Sequence, residues 1–243
     1  MKSDYRIVGR ATNRVALWLS FGLLAVAGVA LAREPILGKT PEKLDERIEK
    51  MRVFFEMLQS TPESRIPAEI LSRAQGLIIM RNFKVGVIIG AQVGVGVATV
   101  RNPQTGQWSA PAFVNTVEGS YGLQIGGQKA DTVMLLMNDQ GMEVLRRGGL
   151  KFGVDVRATA GPVSQGEDWK ADTIKEPVLV YTNAGGLYAG ASIEGGGIGT
   201  ADKANYIYHG ASAEEVLFQA KGKLTEAGQR FLAAIRKNEA PSR

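Results

Sequence analysis

The chain has 243 residues, one histidine, no cysteine and a mean hydropathy of −0.05, values typical of one globular domain with a buried core. Glycine is the outlier, at 30 residues or about 12% against a usual ~7%. The net charge of +5 falls to +2 when residues 1–32, with four basic side chains and one acid, are set aside. That charge is too small to predict a nucleic-acid partner, and the lack of cysteine excludes a cysteine nucleophile and a lipidated N-terminus.

The first 32 residues are typical of an export leader. Four basic residues, from Lys2 to Arg14, precede an uncharged run over 15–32 that ends in Ala30-Leu31-Ala32. This pattern predicts a signal peptide cleaved after Ala32. The run of 18 residues is also long enough for an uncleaved membrane anchor, and this alternative stays open. In both cases we expect the remainder, 33–243, to form one exported, periplasmic domain, tethered to the inner membrane if the leader is kept.

An amphipathic helix is predicted over 41–59. Thr40 is a suitable N-cap and Pro41 suits the first helical position. Apolar residues recur at helical spacing: Leu44, Ile48, Met51, Phe54, Phe55 and Leu58. The helix could lie on a membrane surface or pack on the domain. Its polar face mixes acids and bases with a net charge of −1, which favours packing.

The stretch from Lys84 to Arg101 predicts a strand with two unlike faces. Every second residue from Val85 to Thr99 is apolar or β-branched, which predicts a core-facing wall. The alternate positions are mostly small and include Gly86, Gly90, Gly94 and Gly96. Glycines at one parity favour curvature of the sheet, and a binding site is the less favoured alternative.

The other elements follow in order. We predict a short helix over 66–75 ended by Gly76, strands near 107–117, 120–127 and 130–138, and a helix over 139–147. A half-buried strand over 152–160 and a hairpin of 178–182 and 187–194, turning at 183–186, come next. Ser212 to Glu215 is a capping box, and 224–237 predicts a C-terminal helix. The order predicts an α+β fold with a curved, mainly antiparallel, glycine-rich, barrel-like sheet and flanking N- and C-terminal helices.

The sequence shows no catalytic or metal-binding motif. His209 is the only histidine and lies in an apparent aromatic strand end, so we interpret it as structural. The sequence around Ser192 lacks the second glycine of a nucleophile elbow, and no phosphate-binding glycine loop precedes a helix. We therefore predict a protein that is not an enzyme and that needs no cofactor or metal.

The order of several motifs resembles the SYLF domain family over about residues 66–218. The motifs are the glycine strand, Trp108 to Phe113, Gly119 to Gly127, Thr132 to Asn138, Ala160-Gly161-Pro162, Tyr181, Gly186 to Gly190 and Ile193-Glu194-Gly195. No single motif is specific to this family, but the order of the motifs is. The family includes eukaryotic endocytic adaptors, where the domain is also described as an actin regulator, and many exported bacterial proteins.

The resemblance implies phospholipid binding, which with the leader predicts a non-catalytic module at the envelope membrane. Lys84 matches a basic position that the family tends to carry before its glycine strand. Basic side chains suit lipid phosphates, so Arg81, Arg146, Arg147 and Lys151 are further candidates. The alternative for Arg146 and Arg147 is that the two cations only stabilise the C-terminal end of a helix through its dipole and bind no lipid. A structural or protein-interaction role in the envelope, with an envelope protein as partner, is the second hypothesis. We expect no actin partner, because an exported protein would not meet actin.

Overall fold

One sheet dominates the part of the chain that the computed structural model describes, which is residues 40–85, 89–121, 129–147, 150–151, 155–162, 174–182 and 197–240. Its strands are β1 (Gly76–Val85), β2 (Ile89–Val100), β3 (Ala112–Tyr121), β4 (Lys129–Leu136), β5 (Leu150–Lys151), β6 (Ala158–Ala160), β7 (Val178–Thr182) and β8 (Gly197–Thr200). The strand order is β5-β8-β3-β2-β1-β4-β7-β6. All neighbours are antiparallel except β6 and β7, which run parallel.

The helices in the described residues are α1 (Pro41–Ser60), α2 (Ala68–Arg73), α3 (Asp139–Arg147), α4 (Asp202–His209), α5 (Ala213–Phe218) and α6 (Glu226–Lys237). Together with the curled, half-barrel sheet they confirm the predicted α+β class. The predicted leader, the hairpin turn over 183–186 and the strand over 187–194 lie outside the described residues. No helix of the described ranges is both long enough and apolar enough to span a bilayer.

The sheet is covered on both faces, because strand alternation sends neighbouring residues into two different cores. Leu77 and Ile79 of β1 belong to one core with α1, α2 and α6. Ile78 and Met80 belong to a second core with α3 and α5. The sequence predicted only one buried face for the glycine strand. In the structure Val97 lies in the first core while Ala98 and Val100 lie in the second.

Helix α1 packs on the domain, as its mixed charge predicted. Thr40 caps it, with Oγ1 accepting a hydrogen bond from the Lys43 amide at 3.4 Å. All six predicted apolar residues are at most 2% exposed: Leu44, Ile48, Met51, Phe54, Phe55 and Leu58. Burying several Leu, Ile and Phe side chains at roughly 1.5–3 kcal/mol each makes this face the main reason for the helix to stay on the sheet.

Several local predictions are wrong. The stretch from Lys84 to Arg101 is not one strand, because β1 ends at Val85, β2 begins at Ile89, and Lys84 pairs in register with Gln92. Gly76 does not end α2: the helix stops at Arg73 with Ala74 as its C-cap, and Gly76 already begins β1. The aromatic segment before His209 is helix α4 and not a strand end. There the Asn205 amide nitrogen donates to the Phe113 carbonyl at 2.9 Å and its Oδ1 accepts from the Phe113 amide at 2.8 Å. This pairing with β3 comes from a distant part of the chain, so the local sequence pattern does not reveal it.

Candidate functional site

Arg81 is held by a neighbouring strand. It lies on β1 opposite Asp131 of β4, and its Nε and Nη2 donate to the two carboxylate oxygens at 2.6 and 2.5 Å. The Asp131 side chain is only 8% exposed. The paired carboxylate raises the pKa of Arg81 above its usual range. Because a buried carboxylate would lose its partner, a ligand could recruit Arg81 only at a considerable cost.

Lys84 does not share a face with Arg81. It pairs in register with Gln92 of β2, three residues beyond Arg81 along the same strand. Positions 81 and 84 differ in parity, and alternate positions of a strand belong to opposite faces. The side chain of Lys84 lies outside the described part of the structure, as does that of Lys151. Positions 81 and 84 therefore lie on opposite faces of β1.

Arg146 and Arg147 end helix α3 at the surface, with 44% and 72% of their side chains exposed. Both pair with Glu143 on the same helix, at 3.4 Å for Arg146 Nη1 and 2.6 Å for Arg147 Nε. The Arg146 guanidinium also lies 5.7 Å from the centre of the Phe218 ring of α5. Exposed pairs of this kind contribute about 0–1 kcal/mol each, so both guanidinium groups can exchange partners.

Of the predicted residues, Arg146, Arg147 and Lys151 are near one another in the sequence, at the end of α3 and in β5. Lys151 is in β5, the strand that directly follows α3 and pairs with Gly197 of β8. Helix α3 packs in the second core, whereas Arg81 shares the parity of Leu77 and Ile79 in the first. The predicted basic residues are therefore divided between the two faces of the sheet.

A cleft that sequence reasoning missed lies between α1 and α6, with Arg81 in its wall. Its volume is about 770 Å³, within the ~300–1,000 Å³ range of ligand sites. Carboxylates outnumber cations in its lining, and Val53 and Met57 of α1 contribute exposed apolar surface. The sequence did place α1, but the position of α6 against it depends on contacts between residues about 180 apart, such as that of Thr225 with Asp45.

His209 is buried, and both of its ring nitrogens have partners within the protein. It is 5% exposed, its Nδ1 accepts from the Lys223 amide at 3.0 Å, and its Nε2 lies 3.0 Å from the Pro111 carbonyl. An accepting Nδ1 places the proton on Nε2, which then donates to Pro111. Burial lowers the pKa of the ring. In the described ranges no three His, Asp or Glu side chains are grouped so that they could hold a metal ion.

Comparison with known proteins identifies the family. Residues 117–238 match the family described as Ysc84, Las17-binding protein actin regulator. The chain is 30% identical to SH3 domain-containing YSC84-like protein 1 of Xenopus laevis over 177 residues, 70% of this chain and 52% of that protein. For the Homo sapiens protein of that name the identity is 30% over 164 residues, 66% and 48% of the two chains. Protein YSC84 of Saccharomyces cerevisiae is 30% identical over 149 residues, 60% and 32%.

The chain therefore belongs to the Ysc84 family, whose domain is the SYLF domain, as the motif order predicted. It spans about a third to a half of the length of the three relatives named. No solved structure matches it. The family is described as a regulator of actin and not as an enzyme family. The expectation that actin is not a partner has no support in these comparisons.

Proposed function

We propose that this chain is a non-catalytic phospholipid-binding protein that acts at the exterior face of a cell-envelope membrane. Its membership of the SYLF family, known for lipid binding and actin regulation, supports the lipid part of this proposal. The observation that carries it is the exposed basic pair Arg146 and Arg147 at the end of α3, followed four residues later by Lys151.

Lipid phosphates suit this pair chemically. A guanidinium can bind phosphate through two parallel hydrogen bonds. Glu143 is a competing carboxylate, 31% exposed, and a phosphate in a membrane surface would replace it at modest cost. Arg81 is a poorer contact because its carboxylate partner is buried. The proposal therefore gives the main role to the α3 end, with Lys84 as a separate candidate.

Vesicle co-sedimentation tests the proposal. The full chain is expressed in a bacterial host, purified and mixed with phosphatidylcholine vesicles, with or without phosphatidylglycerol, at low and moderate salt. We expect binding to the anionic vesicles that weakens with salt. At ~1 kcal/mol per basic residue near an anionic surface, Arg146→Ala with Arg147→Ala weakens binding by roughly tenfold or more. Lys84→Ala, tested separately, also weakens it if that position contributes.

A matched control is available at the end of another helix. Arg236→Ala with Lys237→Ala removes two exposed cations from the last turn of α6, so that the loss of charge and the helix-end position are the same. This control is expected to bind vesicles like the unmodified protein. Equal loss in both pairs would show that only net charge matters, and failure to bind any vesicle would overturn the proposed function.

The intact mass of the protein and the cell fraction that contains it test the proposed location. Export with cleavage after Ala32 predicts an intact mass that corresponds to residues 33–243 and recovery from the periplasm. An uncleaved leader predicts the full mass and recovery with the inner membrane. The full mass in the cytosolic fraction would contradict export.

The family description favours a second candidate, regulation of actin. Co-sedimentation with actin filaments, without vesicles, tests it directly. Binding to filaments but not to vesicles would make actin regulation the better proposal. Binding to neither would favour a structural or protein-interaction role in the envelope.

A further inference from the structure

The cleft between α1 and α6 combines an apolar strip with a charged rim. Val53 and Met57 of α1 line it and are 54% and 46% exposed. They are four residues apart, so they lie one above the other on the same helix face. Phe54, which is 2% exposed, and Ala227 of α6 continue the apolar lining into the protein. A strip of this shape fits the side chains of a second helix.

The rim of the cleft is acidic. Its lining contains five carboxylates and three cations, a difference of −2. The carboxylates are Glu42, Asp45, Glu46, Glu49 and Glu226. Glu46 and Glu226 are 48% and 83% exposed, and their partners Lys43, Lys50 and Arg230 are at least 45% exposed. Such pairs are weak, so a cation from a partner can replace them.

We propose that the α1–α6 cleft is the docking site for a basic amphipathic helix of a protein partner. The apolar face of that helix lies on Val53 and Met57, and its Lys or Arg side chains meet Glu46 and Glu226. The acidic rim opposes an anionic membrane surface, which favours a protein occupant over lipid. This inference does not depend on phospholipid binding, because it uses the other face of the sheet.

Synthetic helices of about 14 residues, or four turns, serve as probes. One peptide carries Leu on one face and Lys on the other, and its matched counterpart carries Glu in place of Lys. Fluorescence anisotropy follows binding of each labelled peptide to the full chain without vesicles. We expect the Leu/Lys peptide to bind roughly tenfold tighter or more than the Leu/Glu peptide, with an affinity that falls as salt rises.

Two double variants test whether the peptide binds in the cleft. Val53→Gln with Met57→Gln removes apolar contacts without a change of charge, and glutamine suits an exposed helix position. We expect it to weaken the Leu/Lys peptide roughly tenfold. Glu46→Gln with Glu226→Gln is expected to weaken binding and flatten its salt dependence.

The matched control is Ile207→Gln on α4. The Ile207 side chain is apolar and 36% exposed, and it lies outside the cleft lining. We expect no change in peptide affinity, and circular dichroism checks that every variant is folded. The inference is overturned if the Leu/Lys peptide binds no tighter than the Leu/Glu peptide. It is equally overturned if the Val53 and Met57 variant binds like the unmodified protein, or if the Ile207 variant loses as much.

Discussion

His209 makes the stability of this protein sensitive to mild acid. Both ring nitrogens are hydrogen-bonded, and burial lowers the pKa of the ring. As the pH falls through about 6.5, the unfolded chain takes up a proton that the folded chain does not. The free energy of unfolding therefore falls between pH 7 and pH 5. Urea unfolding at several pH values measures how the free energy of unfolding changes with pH. We attribute this change to His209, the one histidine of the sequence.

His209→Gln separates titration from packing. It leaves the Lys223 amide without its acceptor, so we expect a loss of about 1–3 kcal/mol at pH 7.5. It also removes the titrating ring, so its stability changes less between pH 7 and pH 6 than that of the unmodified protein. Parallel slopes for the two proteins would show that another group causes the pH dependence.

Gly96 is required by a close approach between β1 and β2. A β-carbon at this position would lie 2.1 Å from the Ile79 carbonyl oxygen, which belongs to backbone and cannot turn aside. We expect Gly96→Ala to cost about 3 kcal/mol in thermal or urea unfolding. Gly199→Ala is the control, since its nearest contact is the Asn115 side-chain oxygen at 3.3 Å. Similar losses for the two variants would contradict a specific role of the Gly96 contact.

Among the elements, the residues directly after α6 are fixed to the segment after β2 by one carboxylate and to α2 by a backbone amide. Glu239 Oε1 accepts from Arg101 Nη2 at 2.6 Å and from Trp108 Nε1 at 2.8 Å. The Arg101 guanidinium also lies 4.3 Å from the centre of the Trp108 ring. The Ala240 amide donates to Ser72 Oγ at 2.9 Å. The last turn of α6 and residues 239–240 are therefore part of the packed domain.

Glu239→Gln tests this attachment. The side chain is 15% exposed and pairs with a charge, so we expect a loss of about 1–3 kcal/mol and faster amide exchange at the end of α6. Glu226→Gln is the control: this side chain is 83% exposed and pairs with Arg230 on the same helix. We expect it to lower the free energy of unfolding by less than ~1 kcal/mol. Hydrogen exchange and urea unfolding measure both. An unchanged exchange rate at the end of α6 would contradict the role given to Glu239.

Local pattern determines which elements the sequence could predict. Helices α1 and α3 follow from apolar spacing and end signals within the segment itself. Tyr206-Ile207-Tyr208 instead has the aromatic and β-branched residues of a strand, and its helix is fixed by the bonds of Asn205 to Phe113, 92 residues away. The candidate site shows the same limit. That Arg81 is basic is evident from the sequence, but its pairing with Asp131 depends on the register of β1 and β4.

At the scale of the whole molecule, the sheet separates the two proposed binding surfaces. Helices α1 and α6 cover one face, and α3 covers the other. Contacts on opposite faces with no shared side chains are expected to act independently. A membrane bound at the α3 end would therefore leave the α1–α6 cleft accessible, and the protein could bridge a lipid surface and a protein helix.

Exchanging the two variants between the two assays tests this independence. Arg146→Ala with Arg147→Ala should weaken vesicle binding roughly tenfold and leave the affinity for the Leu/Lys peptide unchanged. Val53→Gln with Met57→Gln should do the reverse, since it alters neither net charge nor any side chain of α3. If either pair weakened both activities, with the fold intact by circular dichroism, the two surfaces would be coupled through the sheet. Independence would instead mean that lipid and protein partners bind without competition.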